Sequence, residues 1–326
     1  MTDPTRKLSA DDFAPEVPQL FDRYVHGALD RRGFLDGASR FVVGGVTAAG
    51  LLEALSPNFA AAEEVLRGDP RIVGATVDFP SPQGRGTGRG YLVKPAGTAP
   101  AGGLPLVIVV HESRDLNPHI EDIARRLALD NFIAFAPNAL FRLGSSFGDK
   151  DKARCLFGKL DASKTREDML AAARCLKSLP GGNGKVGAVG FCWGGGMVNF
   201  LATRVPDLAA AVPFYRPAPA SESVAAINAP LLLMFADTDD FVHEIWPPYE
   251  TALKASGKRF EAFKYPDTQH GFNNDTTPPL PGGRGSARWR SSIETCAADR
   301  SIRSARRSPP DRQCRSRRLP LKAFGR

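Results

Sequence analysis

The chain lacks a CxxC pair and any Cys/His cluster of zinc-ligand spacing; its five cysteines (Cys155, Cys175, Cys192, Cys296, Cys314) are odd in number and irregularly spaced. A disulfide framework or a structural metal site is therefore not what holds it together. Long apolar runs are missing as well. The weakly apolar stretch from Phe41 to Leu55, about 15 residues and rich in glycine, is too short for a stable membrane span. Net positive charge is missing from the body despite a formal net of +8: residues 281–326 hold twelve Arg and one Lys against three acids, which leaves residues 1–280 at about −2. A nucleic-acid partner is accordingly not expected, since no basic face accompanies the bulk of the chain. No internal repeat is visible. What is present is an ordinary globular composition, 42% hydrophobic and 24% charged over 326 residues. That is enough for one α/β domain with terminal extensions.

Three segments follow from composition: an N-terminal extension over 1–65, a folded unit over 66–278, and a basic, low-complexity tail over 279–326. Within the first, Arg31-Arg32-Gly33-Phe34-Leu35 precedes the weakly apolar run and Ala60-Ala61-Ala62. Twin arginine, apolar segment and A-x-A is the order of a twin-arginine export signal, which would place the protein in the periplasm. The alternative is a polar-capped helix packing on the domain of a cytoplasmic protein. The tail has few aliphatic residues and no helical period, as a disordered arm has. A shifted reading frame that replaces a final helix accounts for it best.

From Arg71 on, β-like and helical patterns alternate. Ile72 to Phe79 and Gly90 to Val93 flank the turn-rich Ser81-Pro82-Gln83-Gly84 and read as an antiparallel hairpin. Leu104 to Val110 (LPLVIVV) is continuously apolar, as a strand buried on both faces must be. A helical spacing at Ile120, Ile123, Ala124, Leu127 and Ala128 leads to a strand over Phe132 to Pro137. Then come helix Arg166 to Leu179, strand Lys185 to Phe191, a helix to about Thr203, strands Leu208 to Phe214 and Pro230 to Phe235, helix Ile245 to Ala255, and strand Phe260 to Tyr265. This alternation predicts an α/β fold with a doubly wound, mostly parallel sheet and helices on both faces.

Gly190-Phe191-Cys192-Trp193-Gly194-Gly195 lies between a strand and a helix, the setting of a nucleophile elbow. The turn is sharp, so a side chain at Gly190 or Gly194 would collide with neighbouring backbone while the central residue is held strained and exposed. The helix that begins after Cys192 offers free N–H groups and a positive dipole end to a thiolate or an oxyanion. Read otherwise, Cys192 is a buried apolar cysteine or the loop cradles a phosphate. Chain order favours the nucleophile elbow. Asp237, Asp239 and Asp240 follow one later strand, and His270 follows the next, so nucleophile, acid and histidine come in the order of the α/β-hydrolases, each past a strand's carboxyl end. Cys192, Asp239 and His270 form the candidate triad, with Asp237 and Asp240 as rival acids. His270 would take the thiol proton and later activate water, while Asp239 would hold its imidazole. His26, His111, His119 and His243 follow no matching strand end and read as structural or solvated.

From about Ala75 to Asp275 the chain resembles the dienelactone hydrolases (carboxymethylenebutenolidases). The resemblance rests on V-I-V-V-H-E at 107–112, G-F-C-W-G-G-G at 190–196, the Asp239-Asp240-Phe241-Val242 segment and H-G-F at 270–272. It implies the α/β-hydrolase fold, a small-molecule ester or lactone as substrate, an acyl-cysteine intermediate, and no metal or organic cofactor. It also implies that Glu112 contacts the resting thiol and helps produce the thiolate, and that the N–H groups of Ser113 and Trp193 form the oxyanion hole. The arginines with which the family binds a substrate carboxylate have no clear counterpart. Arg114, Arg142, Arg154 and Arg216 are candidates. A protein that keeps the pocket to bind a carboxylate without turnover is the alternative.

Overall fold

The structure, a computed structural model, describes residues 13–14, 16–25, 28–42, 47–56, 63–113, 115–144, 150–215, 218–236, 240–266, 268 and 270–274. Asp237, Asp239, Arg114, Arg216, His26, Ala60 to Ala62 and the whole tail, with Cys296 and Cys314, lie outside them. Three short helices come first: α1 (Glu16–Val25), α2 (Arg31–Ala38) and α3 (Ala48–Leu55). Arg31 and Arg32 occupy the first turn of α2, and the Asp30 side chain caps it by accepting from the Gly33 N–H at 2.7 Å. Phe34 and Ala38 face inward with Val17, Tyr24, Leu51, Leu52 and Leu55, so these helices have a core of their own.

The remaining elements are β1 (Ile72–Ser81), β2 (Gly86–Pro95), β3 (Leu104–Val110), α4 (Pro118–Leu129), β4 (Ile133–Pro137), α5 (Lys150–Gly158), α6 (Ala162–Lys177), β5 (Gly182–Phe191), α7 (Trp193–Arg204), β6 (Ala210–Phe214), β7 (Leu231–Ala236), α8 (Asp240–Ala255) and β8 (Phe260–Tyr265). All eight strands form one sheet in the order β1-β2-β4-β3-β5-β6-β7-β8. β2 pairs antiparallel with β1 and with β4, and every other neighbouring pair is parallel. The doubly wound, mostly parallel sheet expected from the sequence is thus the one observed. Right-handed crossovers put helices on both its faces, because the chain moves one way from β3 through α4 to β4 and the other way from β5 through α7 to β6.

The centre of the sheet is buried because its strands are apolar on both faces; Ile108, Val109 and Val110 have no exposed surface. Polar caps fix where helices start. Asn117 accepts from the His119 and Ile120 N–H groups at the head of α4, with Pro118 in its first turn, and Asp161 does the same for α6 through Lys164 N–H. Asp161 explains why α6 begins at Ala162, four residues before its apolar period shows. Helix α8 tolerates Pro247 and Pro248 on its exposed face, while Trp246 packs on Phe235 at 5.0 Å and Tyr249 donates to Asn199.

Two arginines tie the outlying parts to this body. Arg125 on α4 is fully buried, donates to the Val65 carbonyl and to Glu63 (2.6 Å), and lies 3.6 Å from Asp122. Asp122 in turn accepts from the Val65 N–H at 2.8 Å. The backbone at 63–65 is therefore locked to α4, and Val65 joins the main core. On α5, Arg154 donates to the Tyr24 and Leu29 carbonyls and covers the Tyr24 ring at 4.4 Å, joining the three-helix unit to the body.

Candidate active site

The sheet's register brings the candidate residues to one edge. Val110 of β3 pairs with Gly190 of β5, so Glu112 and Cys192 each lie two residues beyond the same rung. Phe191 pairs with Phe214 of β6, which sets Tyr215 beside Cys192 at the same level. Ala236 pairs with Tyr265, so β7 and β8 end level with each other, and His270 follows β8 five residues on. All are carboxyl ends of parallel strands, where open α/β sheets form their sites.

Cys192 adopts φ 52° and ψ −120°, a conformation that L-residues avoid, and sits at the N-cap of α7 with 6% of its surface exposed. It is not disulfide-bonded. The strain is imposed from both sides by close backbone packing. A Cβ on Gly190 would meet the Gly194 carbonyl oxygen at 2.3 Å, and one on Gly194 would meet the Val110 carbonyl oxygen at 2.2 Å. Only glycine lets the first turn of α7 lie against the end of β3, which is the collision the sequence pattern suggested. The Cys192 carbonyl accepts from the Gly195 N–H at 2.8 Å, so the helix starts at once. The dipole of that helix favours negative charge at the thiol.

Beside the elbow, His111 is wholly buried. Its Nε2 accepts from the Ala139 N–H at 3.0 Å, which leaves Nδ1 to donate to the Glu112 carbonyl at 2.6 Å. A backbone N–H can only donate, so the ring is neutral, and burial lowers its pKa below the usual histidine value. The ring stacks on Trp193 (5.6 Å, 29°), and Phe157 of α5 meets both edge-on. His111 is thus a strut that fixes the backbone of Glu112, in keeping with a structural role.

Glu112 is buried with 7% exposed, and its Oε1 lies 3.4 Å from the Tyr215 hydroxyl. Tyr215, fully buried at φ 37°, also donates to Asn273 Oδ1, and Asn273 Nδ2 reaches His119 Nε2 at 3.3 Å. The His270 ring packs on Tyr215 with centroids 4.5 Å apart. Glu112, Ser113, Cys192 and Trp193 are therefore gathered at one edge, and His270 reaches it through Tyr215. The sequence offered no sign of Tyr215 or Asn273: one directly follows β6, the other directly follows H-G-F. Of the candidate arginines, Arg142 donates to the Thr87 carbonyl at 3.0 Å and Arg154 is engaged with the N-terminal helices. Among the described residues no His/Cys/Asp/Glu group could hold a metal ion, and no helix is long and apolar enough to cross a membrane.

A strained residue between strand and helix at the carboxyl edge of this sheet order defines an α/β-hydrolase. The model of the "Dienelactone hydrolase family" matches residues 89–302, about two thirds of the chain, and the protein belongs to that family. A second family model, "YqhI-like", matches residues 4–44. Escherichia coli K12 has a "Putative hydrolase fragment YghX" that is 48% identical over 116 residues, covering 36% of this chain and 97% of the fragment. Its "Putative carboxymethylenebutenolidase" is 31% identical over 207 residues, covering 59% of this chain and 76% of that protein. The crystal structure of a "Putative Dienelactone Hydrolase" from Klebsiella pneumoniae superposes with TM-score 0.58 at 26% identity, over 68% of this chain and 97% of that one. The chain is a hydrolase of a family that acts on esters or lactones.

Proposed function

We propose that the protein cleaves an ester or lactone, of which a dienelactone is the model, through an acyl-cysteine intermediate on Cys192, Asp239 and His270. The observation that carries this reading is the strained Cys192 at the head of α7, because thiol and helix dipole meet there at the sheet's carboxyl edge. Glu112, in place of His270, draws the proton from the resting thiol: the S–H bond breaks, an O–H bond forms, and Sγ attacks the acyl carbon. The N–H groups of Ser113 and Trp193 stabilise the oxyanion, a contribution of about 3 kcal/mol for a donor of this kind. As the tetrahedral intermediate collapses, the leaving oxygen takes up the proton held by Glu112. His270, oriented by Asp239, then removes a proton from water. The hydroxide adds to the thioester, the acid departs, and the imidazolium returns its proton to the thiolate.

The test is hydrolysis of a dienelactone and of a p-nitrophenyl ester panel by the wild type, Cys192→Ala and His270→Ala, with mass spectrometry of the quenched protein. Activity lost in both variants, with an acyl mass on wild-type Cys192, is expected. Turnover by Cys192→Ala at the wild-type rate would exclude the cysteine mechanism.

A further inference from the structure

Three rings meet where the proposed oxyanion donors, Ser113 and Trp193, lie. His111 stacks on Trp193, and Phe157 of α5 meets both edge-on, 5.2 Å from the Trp193 ring and 6.0 Å from that of His111. Each of the two rings that Phe157 touches is attached to one donor. The Ser113 N–H shares its peptide plane with the Glu112 carbonyl, and that carbonyl accepts from His111 Nδ1 at 2.6 Å. The Trp193 N–H belongs to the residue that carries the stacked indole and opens α7. Phe157 therefore closes a bracket that bears on both donors at once. Edge-on aromatic contacts add a preferred geometry to the area they bury, so such a bracket fixes orientation as well as position.

Three residues before Phe157 on the same helix, Arg154 donates to the Leu29 carbonyl at 3.2 Å and to the Tyr24 carbonyl, and its guanidinium lies over the Tyr24 ring at 4.4 Å. Tyr24 packs in turn on Phe34, which is fully buried in the core of the N-terminal helices. Residues three apart are neighbours on a helix surface, so one turn of α5 carries both ties. We infer that Phe157 is a positioning residue for the Ser113 and Trp193 donors, and that Arg154 makes its hold depend on the N-terminal helices, which thereby act on the active site through α5. This rests on the oxyanion role proposed above for the two N–H groups and adds what keeps them in place. It also gives Arg154 a task other than binding a substrate carboxylate, since its guanidinium is committed to backbone carbonyls of α1 and of the turn before α2.

The experiment compares the full-length wild type with Phe157→Leu, Arg154→Met, Phe34→Ala and the Arg154→Met/Phe157→Leu double variant. Hydrolysis of a p-nitrophenyl ester gives kcat and KM, and alkylation by iodoacetamide, read on the Cys192 peptide by mass spectrometry, gives thiol reactivity without use of the oxyanion donors. Phe157→Leu keeps an apolar side chain and loses the ring edge, and is expected to lower kcat about tenfold, the order of one aromatic pair. KM and the alkylation rate should stay within about twofold of the wild type, as for a contact that matters only in the transition state. Arg154→Met and Phe34→Ala are expected to lower kcat in the same manner by about threefold, the scale of a coupling passed through packed side chains. The double variant should be no slower than Phe157→Leu, because Arg154 acts through Phe157. A second read-out needs no turnover: acrylamide quenching of Trp193 fluorescence, with Trp246 and Trp289, the other two tryptophans, replaced by Phe in every chain compared. All three single variants are expected to steepen the quenching slope. Unchanged kcat or unchanged quenching in Phe157→Leu or Arg154→Met, a change confined to KM, alkylation that falls in step with kcat, or additive losses in the double variant would overturn the inference. A wild type that turns over no ester, or an active Cys192→Ala protein, would remove the mechanism proposed above and leave the quenching slopes to decide whether the bracket answers to the helices.

Discussion

Replacing Gly194 by alanine adds one methyl group at a point with no room for it. That carbon would lie 2.2 Å from the Val110 carbonyl oxygen and 2.6 Å from that of His111. Ordinary contact begins near 3.4 Å, so the first turn of α7 must retreat from β3 by about 1 Å. Both obstructing atoms are backbone at the carboxyl end of the central strand β3, and no rotamer change relieves them. Overpacking of this kind costs about 1–3 kcal/mol, and a displacement of about 1 Å at a reacting atom lowers rate by roughly 100-fold. Gly196, two residues along the same helix, is the internal control: an added Cβ there meets nothing within 4 Å. Gly196→Ala should keep full activity and gain about 0.5–1 kcal/mol from helix propensity. The assay is p-nitrophenyl ester hydrolysis beside thermal unfolding for both variants. If Gly194→Ala hydrolyses within threefold of the wild type and melts with it, the claim that close packing of α7 on β3 sets the elbow is wrong.

Removing the charge at Arg125 by Arg125→Met leaves Glu63 and the Val65 carbonyl without their buried donor. Asp122 keeps Arg126, so the loss should sit near the low end for a broken buried pair, about 3 kcal/mol, or roughly 6–12 °C in Tm for a domain of this size. A fall below about 2 °C by calorimetry would show that the clamp contributes little. His111 must stay neutral in the fold, so its folded pKa lies below that of the unfolded chain. Its contribution is therefore intact above about pH 6.5 and is lost as pH falls further, at up to about 1.4 kcal/mol per pH unit. His111→Gln should flatten the fall of Tm between pH 6.5 and pH 5; an unchanged slope would assign the acid sensitivity elsewhere.

Elements with a dense local signal were legible. Leu104 to Val110 and Phe260 to Tyr265 were read with the ends they have, the first because seven apolar residues in a row admit only a buried strand. Gly190 and Gly194 announced the elbow because the collisions they avoid are set by local turn geometry. Helix α5 was not seen: KDKARCLFG shows little apolar period, and what orders it is distant, Arg154 on the N-terminal helices and Phe157 on Trp193. For the same reason Tyr215 escaped notice. Its partner Asn273 is 58 positions away, and Asn273 meets His119 across 154. Such pairs exist only once the sheet has set its register.

The lock between α4 and residues 63–65 gives the hydrolase body a marked beginning. Arg125 is buried in the body, but its closest hydrogen-bond acceptors, Glu63 and the Val65 carbonyl, arrive from upstream, so the body can sense whether that stretch of chain is in place. Shortening the polypeptide to residue 63 would leave every one of these bonds intact, whereas going on to residue 66 would remove the Glu63 and Val65 acceptors of a buried guanidinium and leave it only Asp122 and Glu121 of its own helix. Between a start at residue 63 and a start at residue 66, stability should therefore fall in a step, separate from any loss caused earlier by removing the Tyr24 and Leu29 partners of Arg154.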